Sequence, residues 1–158
     1  MFYYNISNQD SLSLAQRYQA INKAFVLVKN LKNDTIFTKI GYQKSLLHYS
    51  MKEYDSLLIY SDQVINYPMS LKDVEMVGRQ YYLKAHYFNE VAQLPDSAFR
   101  NYNLSKTEFQ SAKDSVWIGR SLLNMGNIQK NQNDFFGSKE TITEALQYLE
   151  AKQDIDYI

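Results

Sequence analysis

The chain has no cysteine, and only two prolines and five glycines among its 158 residues. Without cysteine there are no disulfides, no thiol nucleophiles and no cysteine-bearing zinc sites. Cytoplasm and periplasm both suit a thiol-free chain, so the compartment stays open. An excess of charge is missing too: 17 lysines and arginines balance 17 aspartates and glutamates. Nothing in the overall charge attracts nucleic acid. The longest apolar run, Ala24 to Val28, is far too short to span a bilayer. Met1-Phe2-Tyr3-Tyr4 lacks the basic start and cleavage site of a secretory signal, so an exported form would already have lost one. Glycine-rich phosphate loops and nucleophile-elbow serines are also missing. The two histidines, His48 and His86, have no metal-binding spacing. The expectation is a chain that is not an enzyme and takes no metal or cofactor.

What is present is a repeat. Lys32-Asn33-Asp34, Leu71-Lys72-Asp73, Ala112-Lys113-Asp114 and Ala151-Lys152-Gln153-Asp154 recur along the chain, with the aspartates 39, 41 and 40 residues apart. A period near forty marks stacked helical hairpins, each burying its apolar face against its neighbours. Asp10-Ser11 reads as the cap of a leading helix that runs to about Leu31. Asp34-Thr35, Asp73-Val74 and Asp114-Ser115 each place an acidic residue where a helix starts, able to accept from free backbone N–H groups. Polar breaks near Met51-Lys52-Glu53, Gln93-Leu94-Pro95-Asp96 and Asn131-Gln132-Asn133-Asp134 split each repeat into two helices. The organisation expected is a leading segment over 1–33, repeats over 34–72, 73–113 and 114–153, and the start of a further repeat over 154–158. A chain cut from something longer would leave Ile142, Leu146 and Leu149 uncovered on the last hairpin, a surface for self-association.

The third repeat carries the most specific local signal. Met125-Gly126 on its first helix is followed by Phe135 after the turn, then by the small residues Ser138 and Ala145 on its second helix. This pattern resembles the tetratricopeptide family, whose small residues let two helix axes approach to roughly 8–10 Å. The second repeat has Ala85, Ala98 and Ser105 in those columns. The first has Ser45, the bulkier Leu57 and Val64, with Tyr54 as the aromatic and Pro68 closing the pair. The forty-residue period also admits HEAT-type repeats, but the paired small columns favour the tetratricopeptide pattern. The resemblance spans about residues 34 to 153. It implies an all-α fold, an α-α superhelix built as a right-handed solenoid of antiparallel hairpins.

Superposed, the repeats align Lys39, Arg79 and Arg120 in one column, and in the family that column faces the concave surface. The same projection brings Tyr42 and Tyr49, then Tyr82, His86 and Asn89, then Asn127 and Lys130 nearby. These residues form an expected basic and aromatic groove for a protein or peptide segment with carboxylates: cations for charge, asparagines for backbone pairing, tyrosines for flat contact. Trp117, aligned with Phe37, reads as interhelical filling, and the tyrosines outside the groove as ring packing. The function expected is a non-catalytic interaction scaffold. The alternative is a sensory segment, because long-period repeats of this type resemble those placed before kinase or helix-turn-helix output domains in bacterial signalling proteins.

Overall fold

The computed structural model describes residues 13–31, 33–68 and 73–150. Among them are seven helices and no strand: α1 (Leu14–Leu31), α2 (Asp34–Ser50), α3 (Tyr54–Ile65), α4 (Val74–Glu90), α5 (Pro95–Ala112), α6 (Ser115–Asn131) and α7 (Phe135–Glu150). The fold is all-α, and consecutive helices joined by short turns pack as hairpins. None of these helices is long and apolar enough to cross a membrane. Asp10-Ser11, Lys32, Leu71-Lys72 and residues 151–158 lie outside the described residues.

The helix starts follow hydrogen-bonding chemistry. Ser13 and Gln16 form a reciprocal capping box at α1, with Ser13 N donating to Gln16 Oε1 at 3.0 Å and Gln16 N to Ser13 Oγ at 3.3 Å. At α2 the cap is Asn33, whose Oδ1 accepts from Ile36 N at 3.0 Å. Asp34 is therefore already inside the first turn, contrary to its expected role as the accepting cap. Asparagine takes the position because its short side chain reaches the same N–H. Asp73 and Asp114 do act as expected, accepting from Met76 N and Trp117 N.

Three of the turns share one device. Lys52, Lys113 and Asn133 adopt left-handed backbone with φ near 60°. The residue after each donates its N–H five positions back: Glu53 to His48 O, Asp114 to Phe109 O and Asp134 to Gln129 O. These are Schellman closures, built without the glycine that usually relieves the left-handed position. Asp114 and Asp134 then cap the following helix, so one residue both closes a helix and opens the next.

The chain divides into two compact units, Met1–Gln80 and Tyr81–Ile158, with the division inside α4. In the first unit, α1 packs on α2 and α2 on α3. Ile21, Ala24, Phe25 and Val28 form one apolar stripe of α1 and meet Phe37, Ile40, Leu47 and Val64. At Gly41 a side chain would collide with Val64, so glycine permits the close approach of α2 and α3. Polar residues are enclosed as well, Lys44 and His48 among them. Lys44 and His48, one turn apart on α2, lie over the same Tyr60 ring, with Lys44 Nζ 3.9 Å and the His48 ring 5.0 Å from its centroid. Glu53 holds His48 Nδ1 at 2.7 Å, tying the buried ring to the hairpin turn.

In the second unit, α5 packs on α6 and α6 on α7. Gly119 and Gly126 lie seven residues apart on one face of α6, opposite Leu149 and Ile142 of α7. The pairing runs in opposite directions along the two helices, so the hairpin is antiparallel. A Cβ at Gly126 would stand 2.5 Å from Ile142 Cγ1, and one at Gly119 would stand 2.6 Å from Leu149 Cγ. Against the expectation of an uncovered last hairpin, Leu149 is 2% exposed over Gly119, whereas Ile142, over Gly126, and Leu146 are half-buried. Ser138 and Ala145 are buried as their small size predicts, whereas Phe135 is 63% exposed and does not fill the hairpin.

Candidate functional site

Within the second unit a cleft of about 250 Å³ is lined by Tyr82, Trp117, Arg120, Leu123, Asn124 and Asn127. Five of the six come from α6, and the regular helix places them there. Trp117, Arg120, Asn124 and Asn127 are spaced three, four and three residues apart, which is one stripe of an α-helix. The neighbouring stripe holds Ile118, Leu122 and Met125 in the core. Burial of that stripe turns the polar one outward, and α4 contributes Tyr82 beside it.

The side chains brace one another. Phe109 stacks on Trp117 with centroids 5.4 Å apart, and Tyr82 meets the indole edge-on at 5.0 Å. Tyr82 in turn meets the buried Tyr102 at 5.2 Å. The Arg120 guanidinium lies over the Trp117 ring, 4.9 Å from its centroid. Such stacking restrains a long cation. Asn124 donates from Nδ2 to Tyr82 Oη and to Arg120 O, each at 2.9 Å. The result is a half-rigid surface of one cation, two amides and apolar rings.

Of the residues expected in the groove, Tyr82, Arg120 and Asn127 therefore come together here. His86 and Asn89 are half-buried on α4, and Asn89 Nδ2 is held by Glu90 Oε1 at 2.6 Å. Lys130 is exposed one turn beyond Asn127. In the first unit Lys39 is exposed on α2, and Tyr49 makes an edge contact with Tyr54 at 6.0 Å. Arg79 is engaged internally: Nη2 and Nε donate to Glu75 Oε1 at 2.9 and 3.2 Å. It also bonds the Tyr42 phenol, whose pKa is raised by burial, with the Arg79 charge and hydrogen bond opposing that shift. The three cations of the column thus have three different surroundings: open solvent, an ion pair and an aromatic face.

Sequence reasoning missed Trp117, Leu123 and Asn124 as cleft residues. Trp117 does pack between helices, as expected, and it also faces the cleft. The legible signal was the stripe containing Trp117, Arg120, Asn124 and Asn127; aligning cations between repeats passed over it. Among the described residues no group of three or more histidines or carboxylates converges as a metal site. Compared with known proteins, the chain matches no protein-family model and no curated protein.

Proposed function

We propose that this chain is a non-catalytic docking module of tetratricopeptide-like hairpins, and that the cleft of the second unit seats a segment of a partner protein. The observation that carries this reading is Arg120, stacked on Trp117 beside two asparagine amides in an open cleft. A stacked guanidinium with neighbouring amides and ring edges offers charge-assisted bonding, backbone pairing and apolar contact in one place. Close approach of α6 and α7 at Gly126 supports the tetratricopeptide-like reading, since the glycine of the Met125-Gly126 pair belongs to that pattern.

The test is capture from lysate of the source cell by the parent chain, by Arg120→Glu/Asn127→Ala and by Arg79→Glu, with captured proteins identified by mass spectrometry. Circular dichroism establishes that each variant is folded. The expected result is a defined partner held by the parent and by Arg79→Glu and lost by the cleft variant. Equal capture by all three would remove the cleft as the docking site.

A further inference from the structure

We infer that the outer face of α1 seats a single-chain anionic amphiphile of the fatty-acid type, a hydrocarbon chain ending in a carboxylate. This site belongs to the first unit and shares no residue with the cleft of the second.

α1 carries more apolar surface than its packing uses. Ile21, Ala24, Phe25 and Val28 fill the core. Val26 and Leu27 interrupt that inner stripe and stand outside it, 64% and 51% exposed. A helix that is apolar around its whole circumference is ordinarily enclosed. Here the two side chains, with Asn22 and Lys23, line a groove of about 430 Å³, within the roughly 300–1,000 Å³ of sites that hold a small molecule.

The sign of the head group follows from charge. Lys23 precedes Val26 and Leu27 by three and four residues, so its ammonium and the two apolar side chains are neighbours on one helix face. Lys23 is exposed and makes no ion pair among the described residues. No carboxylate lies anywhere on α1, which carries Lys29 beyond the apolar pair, so nothing on this helix repels an anion. Asn22 adds an amide donor beside Lys23, and a carboxylate can accept from both.

The hydrocarbon part follows from what the groove lacks. A peptide laid along Val26 and Leu27 would find no hydrogen-bond partner in those side chains, and an amide taken from water unpaired is costly. An acyl chain has no such group and gains from every methylene removed from water.

The whole chain is titrated, below micelle-forming concentrations, with dodecanoate, octanoate and dodecyltrimethylammonium. Binding is followed by calorimetry and by the methyl resonances of Val26 and Leu27. The expected result is saturable one-to-one binding of dodecanoate that shifts those methyl groups. Octanoate and dodecyltrimethylammonium should each bind about tenfold or more weakly. Lys23→Gln should remove the preference for the anion while keeping that for the longer chain. Leu27→Asn should weaken dodecanoate about fivefold or more. Lys39→Gln, exposed on α2, should change neither preference. All three substitutions are at exposed positions, and circular dichroism establishes that each variant is folded.

Equal binding of the anionic and cationic amphiphiles by the parent, equal binding of the two chain lengths, shifts confined to residues outside α1, or no saturation by dodecanoate would each overturn the inference. Binding to phosphatidylglycerol vesicles without binding of dodecanoate would give the face to a membrane instead. Self-association abolished by Leu27→Asn, again without binding of dodecanoate, would give it to a second copy of the chain.

Discussion

Asn124 on α6 donates an amide hydrogen to the phenolic oxygen of Tyr82 on α4 at 2.9 Å, across 42 residues of sequence. The same amide is tied to Arg120 O one turn back, so a helix-internal bond and an interhelical bond share one nitrogen. This bond orients Tyr82 against Trp117. A double-mutant cycle of Tyr82→Phe and Asn124→Ala, followed by urea unfolding, should give a coupling of about 1 kcal/mol. Additivity within about 0.3 kcal/mol would show that the bond contributes nothing in solution.

The glycine groove of α6 predicts a compensating pair. Gly119→Ala places a methyl group 2.6 Å from Leu149 Cγ and 3.2 Å from the Ala145 carbonyl. The substitution should destabilise by about 1–3 kcal/mol through overpacking. Adding Leu149→Ala should cost less in that background than in the parent, because the new methyl occupies part of the vacated space. Thermal unfolding of the four proteins measures this; equal costs in both backgrounds would place the strain on the backbone carbonyl instead.

Lys52 and Lys113 hold left-handed backbone at the helix ends. A side chain there costs about 1–2 kcal/mol, and glycine recovers this less about 0.5–1 kcal/mol of added chain entropy. Lys52→Gly and Lys113→Gly should therefore each stabilise by about 0.5–1 kcal/mol. Asn133→Gly should give less, since asparagine tolerates the conformation better. Chemical denaturation provides the comparison, and a loss of stability at Lys52 or Lys113 would contradict the turn assignment.

Tyr42 links stability to alkaline pH. Burial raises its folded-state pKa above the ordinary value near 10, with Arg79 opposing the shift. Above pH 10 the unfolded chain releases this proton first, so it binds fewer protons than the folded chain and unfolding becomes easier. Stability from this group is therefore complete below pH 10 and is lost as pH rises towards the folded pKa. Denaturation between pH 9 and 11.5 should show a steeper decline for the parent than for Tyr42→Phe. Identical slopes would mean that the phenol titrates normally.

Much of the helical organisation was legible before any tertiary information. The breaks at Lys52, Gln93 and Asn133 fall between helices, and Pro95 opens α5, because residues that close and cap helices cluster there. Asp73 and Asp114 cap α4 and α6 for the same local reason. Asn33 shows the limit: with asparagine and aspartate adjacent, either can cap, and the path of the preceding chain selects between them. For the cleft, sequence named Arg120, Asn127 and Tyr82 but left out Asn124, whose partner Tyr82 lies 42 residues away.

What the sequence by itself determined is therefore local: the seven helices of the described residues, most of their caps and turns, and the small residues at which helices approach. Those features depend on hydrogen bonds and steric limits within a few residues of the chain. Only tertiary structure decided that Leu149 and Ile142 are received by α6, that Phe135 stays exposed, that Arg79 is held by Glu75 and Tyr42, and that Arg120 is laid on Trp117. Except for the Arg79–Glu75 pair on α4 and the Arg120–Trp117 pair on α6, each about one turn apart on a single helix, each of those outcomes depends on which faces of packed helices meet, and a repeat of forty residues leaves that choice to side-chain volume.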